Sequence, residues 1–582
     1  MYNIYEQASV ILGNLKLTSD NVDMSDCYFL CANKEHIQDL QTRDHQVIWG
    51  RRGTGKTTLL KAFTYSTNYV LQNPDNISLY IVMAKAIPTS EEIGSLTGDG
   101  SSLTVYVFSK IIAQINSELE KVYNERAGAL GPDEEKKFSS AYCELEDYLK
   151  IYQTCVKGGI FSVDNLKSNE AKQELRKERG TKIHANESIL EVWLNWFNNK
   201  NKSSNTKQSY AVTGKIQFIL ETEIISKLIT QMLDALNISL AYICLDEYSE
   251  MDKVSEYSIQ SKVAQLIKQV FFKSPRFSVK IATIWSHSKL HSRGSNRIEG
   301  IEHQQDIFSG PDLDIMFMTH NSDIIGYFKE VLVNTYLLGQ SIKDEEKQAL
   351  SDYIESHIFT KAGLKHIICG SQGVSRSFVI LAKEYLQRFI KEKNGPVNLS
   401  AVYDIIQNQY LENVRNKIPY YTLYRVIDKY VSRNLCRYFL ISRSDHERCK
   451  SLIKYLSSRG VFMQMPGHLT PRDIRDDYKM FVVHYGNYLD ALGSHSFRKG
   501  RKTLGEDAKL EEDGLLVPEY DIDLIDFPEK YTITIPDGIE NESYCTKCCK
   551  IVKDNLIGVR LTCPECGNKI LRFAEFIDEV GI

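Results

Sequence analysis

The sequence predicts a multidomain α/β protein whose core is a parallel, phosphate-binding sheet, and three observations lead there. An apolar run, Val47-Ile48-Trp49, leads directly into GRRGTGKT, residues 50–57. Two further runs read as buried strands, residues 279–285 and residues 240–245, the latter almost continuously apolar as a parallel strand covered on both faces is. The run at 240–245 ends in Asp246-Glu247, at the strand end where open α/β sheets bind their ligands.

Length and composition set the frame. At 582 residues the chain exceeds one core, and ~150 residues per domain suggests about three or four units. With 42% hydrophobic and 25% charged residues it has the make-up of an ordinary globular protein. The opening MYNIYEQASVILGNLKL lacks the basic start and apolar centre of a signal peptide, and no apolar run nears the ~20 residues that span a bilayer. A cytoplasmic location without membrane partners is therefore expected. Net charge is −4, so any nucleic-acid contact must come from local patches.

The phosphate loop meets G-x-x-x-x-G-K-[ST] with Gly50, Gly53-Thr54-Gly55, Lys56 and Thr57. Glycines let consecutive backbone N–H groups turn around an anion, and the helix that follows adds its positive end. Lys56 is the residue expected to reach the β and γ phosphates of ATP, and the Thr57 hydroxyl the one expected to ligate magnesium. With Arg51, Arg52 and Thr58 these residues make up the expected ATP-binding loop. A plain strand-to-helix turn is the alternative, and the helical spacing of Leu59, Leu60 and Phe63 argues against it.

Magnesium also needs a carboxylate facing Thr57. Asp246 is the candidate and Glu247 the candidate base for the attacking water, although an Asp-Glu pair can equally cap a helix. Beyond the strand at 279–285, Ser286 would sit between the acidic strand and the phosphate loop, the position of a sensor for the γ-phosphate. Thr283 and His287 are substitutes, and a serine after a strand is also an ordinary turn residue.

With these motifs and with GVSRSF, residues 373–378, the chain resembles the AAA+ ATPases, specifically the origin-recognition initiators and the STAND-type bacterial ATPases. The resemblance spans residues 46–389. It implies that Arg376 opens a lid helix and senses the γ-phosphate, a role that suits a planar guanidinium. It also implies an arginine finger acting between assembled subunits, for which HSRGSNRIEG offers Arg297 and Arg293. One departure is the stretch of about 150 residues between ISLYIVMAK and the acidic strand, far more than one crossover requires. It reads as a helical insertion, with KSNEAKQELRKERGTK as a solvated helix and NNKNKSSNTKQS as a polar loop.

After the lid, helix-like segments lead to RDDYKMFVVHYGNYLDAL, whose Tyr, Phe and Val content reads as strand. The pattern resembles a winged helix, which in initiator-type relatives grips DNA. The helix around Lys450 to Ser458, with Lys450, Lys454 and Arg459, would then be the recognition element, though winged helices also bind proteins. Arg498, Lys499, Arg501 and Lys502 form a short basic tract suited to phosphate or to plain solvation.

Of the 13 cysteines, eight are scattered over the first 450 residues and five crowd into the last forty, which favours local metal binding over a disulfide framework. Cys545 and Cys548 form one C-x-x-C and Cys563 and Cys566 another, with 14 residues between Cys548 and Cys563. Four thiolates from two tight turns suit structural zinc, with Cys549 as a spare for Cys548 and redox pairing as the alternative.

The domain plan that results is a P-loop ATPase core over 1–320 with a helical insertion at about 120–215, a helical lid over 321–395, a winged-helix-like domain over 396–493, a linker over 494–539 and a zinc ribbon over 540–582. The expected function is an ATP-hydrolysing, DNA-associated ATPase whose nucleotide state controls self-assembly or partner recruitment. A STAND-like signalling switch, such as one in bacterial antiphage defence, and a scaffold that holds ATP without turnover are the other classes. No nuclease or transferase constellation is visible.

Overall fold

The computed structural model describes residues 4–15, 22–32, 34–71, 73–89, 92, 100–157, 221–253, 259–284, 288–293, 298–314, 321–337, 344–393, 395–417, 422–434, 436–465, 473–498, 525–539, 543–545, 551–552 and 570–572. The chain divides into two compact units.

One unit, residues 34–49 and 56–311, holds the parallel sheet. Its strands are β1 (Gln46–Trp49), β2 (Asn76–Val82), β3 (Leu240–Asp246) and β4 (Phe277–Thr283), with a small hairpin of β5 (His291–Arg293) and β6 (Ile298–Gly300), and then β7 (Phe308–Asp312). The order is β2-β3-β4-β1-β7, and β2 with β3, β3 with β4, and β4 with β1 all run parallel. β4 therefore separates the acidic strand from the phosphate-loop strand, as expected of the strand that leads to the sensor. Every residue of β3 and β4 is buried, as suits their mostly apolar sequences.

Lys280 is the one charged residue of β4, and its buried amine is met by the segment just before β1. Its Nζ donates to the carbonyls of Thr42 (3.0 Å) and Asp44 (2.8 Å). Burial pushes its pKa down to about 7.

Helices close both faces of the sheet. Ile225, Leu228, Ile229, Met232 and Leu233 give Thr222–Ala235 one apolar stripe, and Val263, Ile267, Val270 and Phe271 do so for Gln260–Phe271. Between β2 and β3, where a helical insertion over about 120–215 is expected, the chain forms helices Gly100–Arg126 and Pro132–Lys157. These two helices are core rather than decoration: Ile111, Ile115, Leu119, Phe138 and Leu145 are buried with the strands, and Phe138 stacks on Tyr123 at 4.3 Å. The charged helix and polar loop read from residues 167–182 and 198–209 lie outside the described residues.

The other unit gathers residues 1–33, 50–55 and 312–582. Its helical part packs Ile4–Asn14 with Asn321–Leu337, Lys361–Ser371, Ser375–Glu392 and Leu399–Asn413 around Ile11, Phe328, Leu332, Phe378 and Leu386. The N-terminal helix, placed by sequence in the 1–320 core, thus shares the core of the lid region. Ser371 closes one lid helix, and Gln372 (φ 51°) and Gly373 (φ 74°) turn the chain into the next through the left-handed region.

Further on, helix Thr422–Asn434 leads to β8 (Tyr438–Ser442), then helices Arg443–Arg448 and Lys450–Ser458, β9 (Phe462–Gln464) and β10 (Tyr478–Val483). The sheet order is β8-β10-β9, antiparallel throughout. Two expectations change here. Only the first part of RDDYKMFVVHYGNYLDAL is strand, because from Tyr485 the buried positions, Tyr485 and Leu489, fall at helical spacing and the chain forms helix Tyr485–Arg498. The expected linker also contributes structure. Ile533 donates its N–H to the Leu440 carbonyl (2.9 Å), Leu440 donates to Tyr531 (2.8 Å), and Ile533, Ile535 and Ile539 are buried.

At the C-terminal end, β11 (Ser543–Cys545), β12 (Ile551–Val552) and β13 (Ile570–Arg572) pair antiparallel in the order β12-β11-β13.

Two histidines, His366 buried and His484 half-buried, lie where the lid region meets the β8-β10-β9 domain. His366 is hydrogen-bonded through Nδ1 to the Tyr485 hydroxyl (2.8 Å) and through Nε2 to the Tyr403 hydroxyl (3.2 Å), and burial lowers its pKa to about 4. Gly486 donates its N–H to His484 Nδ1 (2.9 Å), and burial, with the charges of Arg437 and Arg51, lowers that pKa to about 3. Both rings are therefore neutral when folded, while the unfolded chain takes up protons below about pH 6.5. The stability they support is complete above that value and falls as the solution is acidified toward their folded pKa values. We expect each to withdraw about 1 kcal/mol by pH 5.5. Thermal unfolding of wild type and of His366→Gln between pH 7.5 and 5.5 checks this, the variant showing the shallower decline.

Candidate functional site

The phosphate loop is shaped by two glycines in the left-handed region, Gly53 (φ 87°) and Gly55 (φ 99°). A Cβ on Gly53 would lie 2.8 Å from the Arg376 Cβ, so a side chain there is excluded by conformation and by space. Thr54 is buried and its hydroxyl donates to the Arg51 carbonyl (2.9 Å). Helix Lys56–Tyr65 then begins with Lys56, Thr57 and Thr58 in its first turn, all half-buried.

The lid helix touches this loop directly. Arg376 donates its backbone N–H to the Gly53 carbonyl (3.0 Å), and the Tyr327 and Ser375 hydroxyls are hydrogen-bonded at 3.0 Å. The backbone of Arg376 is thus held against the phosphate loop.

Arg51 takes a different place from the one its position suggests. Its backbone N–H and Nε donate to the two carboxylate oxygens of Asp314 (2.7 and 2.8 Å), and its Nη2 donates to the Gln372 carbonyl (2.7 Å). The guanidinium expected among the ATP-binding groups serves instead to hold the loop to Asp314, just past β7, and to the turn before the lid helix. Arg52 is exposed.

In the sheet unit, Asp246 ends β3 and is 2% exposed. The Tyr80 hydroxyl donates to its Oδ2 (2.7 Å) and the Glu247 N–H to its Oδ1 (2.9 Å). Glu247 itself has φ 59°, a conformation unfavourable for a non-glycine residue and concentrated at functional sites. The helix after the loop lies along the same face. The Thr64 hydroxyl is hydrogen-bonded to Ser78 (3.0 Å), Ser78 to the Cys244 thiol (3.3 Å), and Lys61 Nζ stands 5.9 Å from the Tyr80 ring centre. One helical turn before Lys61 on this stripe is Thr57, and two residues beyond Cys244 on this strand face is Asp246. The two expected magnesium groups therefore belong to one face of the sheet.

Other candidates are not brought together. Ser286 and His287 lie outside the described residues, while Thr283 is buried and hydrogen-bonded to the Ser288 hydroxyl. Arg293 ends β5, and Arg297 lies outside the described residues. So do Cys548, Cys563 and Cys566, with Cys545 placed only as the last residue of β11. Among the described residues no group of three or more His, Cys, Asp or Glu side chains could hold a metal. No described helix is long and apolar enough to cross a membrane.

Sequence reading missed Tyr80, Asp314 and the Gln372 carbonyl. The only signal for the first two was a polar residue near the C-terminal end of a strand.

A parallel sheet with this loop after β1, an acidic pair at the end of β3 and a further strand between them defines a P-loop nucleotide-binding protein. Residues 28–331, more than half of the chain, match the ORC-CDC6-like family, and the chain belongs to it. It is accordingly a relative of the initiator-type AAA+ ATPases. No curated protein matches it.

The Arg51 clamp is directly testable. Arg51→Ala and Asp314→Ala should each lower unfolding free energy by about 1–3 kcal/mol, as loss of hydrogen bonds to a charged group does. The double variant should fall little below the weaker single, because the pair acts as one unit. Chemical denaturation of the three variants measures this.

Proposed function

We propose that the protein binds ATP with magnesium and hydrolyses it, and that its nucleotide state governs association with DNA, with further copies of itself or with a partner protein. The observation that carries the ATPase reading is the shared sheet face of Thr57 and Asp246, with the strained Glu247 following Asp246. In this reading the loop amides and Lys56 bind the phosphates, Thr57 and Asp246 hold magnesium, Glu247 orients the attacking water, and Ser286 and Arg376 sense the γ-phosphate. Bound magnesium would supply charge neutralisation on the β and γ oxygens. Arg297 remains the proposed finger between subunits.

The DNA part rests on the C-terminal topology. A helix, β8, two helices and the β9-β10 hairpin, in the sheet order β8-β10-β9, support a winged helix, in which Lys450–Ser458 is the helix before the wing. The four cysteines at 545, 548, 563 and 566 are proposed to bind one zinc ion, and the order β12-β11-β13 supports a small ribbon around them. A second reading, a signalling switch acting through protein contacts, is favoured by one observation. Lys450 is paired with Glu447 (3.4 Å) and the Arg459 guanidinium lies 5.6 Å from the Tyr455 ring centre, so two expected DNA cations have partners in their own chain.

Two measurements test these readings. Lys56→Ala should abolish ATP binding, and Glu247→Gln should retain binding while turnover falls by two orders of magnitude or more, at the scale of about 10²–10⁴ for a positioned base. Near-normal hydrolysis by Glu247→Gln would remove Glu247 from its role.

Duplex DNA affinity should fall steeply with salt, since each neutralised phosphate contributes to the slope. Lys450→Glu with Lys454→Glu should weaken that affinity and leave basal ATPase unchanged. Absence of DNA binding at low salt in the full chain would leave the signalling switch as the better account.

A further inference from the structure

The phenol of Tyr80 sits where neither a strand nor a core requires a hydroxyl. Tyr80 is on β2, in register with Cys244, and is half-buried, so phenylalanine would fill its place equally well. Its hydroxyl nevertheless donates to Asp246 Oδ2 at 2.7 Å, the short length typical of a bond to a carboxylate. The other oxygen, Oδ1, accepts the Glu247 N–H. Asp246 is 2% exposed, and the oxygens of a carboxylate so buried need hydrogen-bond donors. With one donor on each oxygen, the plane of the carboxylate is fixed.

The direction in which it is fixed matters. Along this face the stripe Thr64, Lys61 and Thr57 of the phosphate-loop helix follows Ser78, Tyr80 and Asp246 in the strands below, with Lys61 Nζ 5.9 Å from the Tyr80 ring centre. Tyr80 therefore faces both Lys61, one helical turn after Thr57, and the Asp246 carboxylate.

We infer that Tyr80 is a positioning residue of the magnesium site, its hydroxyl presetting the Asp246 carboxylate for the ion that Thr57 shares. This rests on the magnesium reading of Thr57 and Asp246 given above. A group that orients a metal-binding side chain contributes through metal affinity, and its loss commonly weakens that affinity about 10- to 100-fold. The fold itself loses little, because Tyr80→Phe keeps the ring under the helix and beside Lys61.

The test uses the full chain and a fluorescent, non-hydrolysable ATP analogue. The magnesium concentration that half-maximally tightens analogue binding is measured for wild type, Tyr80→Phe, Asp246→Asn and the double variant, with electron paramagnetic resonance of bound Mn²⁺ as a direct metal readout. Tyr80→Phe should need about tenfold more magnesium, bind the analogue normally without metal, and recover at saturating magnesium. Asp246→Asn should shift at least as far, and Tyr80→Phe should add nothing to it, since the phenol acts through that carboxylate. A wild-type or tighter magnesium dependence in Tyr80→Phe, beside a shifted Asp246→Asn, overturns the inference and leaves the site standing. An equal loss of analogue affinity at every magnesium concentration marks a packing role and also overturns it. An unshifted Asp246→Asn removes Asp246 from the metal site, and the inference falls with it.

Discussion

A loop that offers its backbone N–H groups to phosphate cannot use them all to hold itself together. Its shape must come from its carbonyls and from side chains outside the anion's reach. Here the Arg51 carbonyl accepts the Thr54 hydroxyl and the Gly53 carbonyl accepts the Arg376 N–H, while the Arg51 guanidinium reaches out to Asp314 and Gln372. The rest of the site follows from this arrangement. Because Gly53 has no side chain the lid helix can approach, and because Arg51 is anchored the loop keeps the curvature that its two left-handed glycines permit.

The acidic strand solves a related problem of burial. Asp246 buries a carboxylate whose oxygens need donors, and the chain turns out of the strand directly after it. The first is met by Tyr80 and the Glu247 N–H, the second by a positive φ that only a constrained neighbourhood maintains. One peptide thus serves both residues: the N–H that turns toward Asp246 Oδ1 belongs to the residue whose backbone is strained.

These features differ in how legible they were in the sequence. The loop, the acidic pair and the buried strands could be read because their chemistry depends on fixed local spacing, and the sheet order with β4 between β3 and β1 agrees with that reading. Tyr80, Asp314 and Gln372 could not, since each meets its partner across many residues and nothing in ISLYIVMAK separates a functional tyrosine from a packing one. Helix Tyr485–Arg498 was missed because Tyr and Val suit strands and the burial that decides for a helix comes from its neighbours. Residues 531–539 read as linker because their three isoleucines are spaced among polar residues, yet β8 gave them an edge to join.

The clamp on the loop also ties the site to the C-terminal half of its own unit. Burial, and then the charges of Arg437 and Arg51, lower the His484 pKa, and His484 follows β10 directly before Tyr485, whose hydroxyl is bonded to His366 of the lid region. Arg437, just ahead of β8, lies 4.9 Å from the Tyr485 ring centre. Loop, lid and antiparallel sheet are thus linked by hydrogen bonds, ring contacts and charge effects among polar and aromatic groups. In such a set a shift of one group is felt by its neighbours. A rearrangement that displaces Arg51 must break its bonds to Asp314 and Gln372 or carry them along, and either course alters the field and the packing at His484.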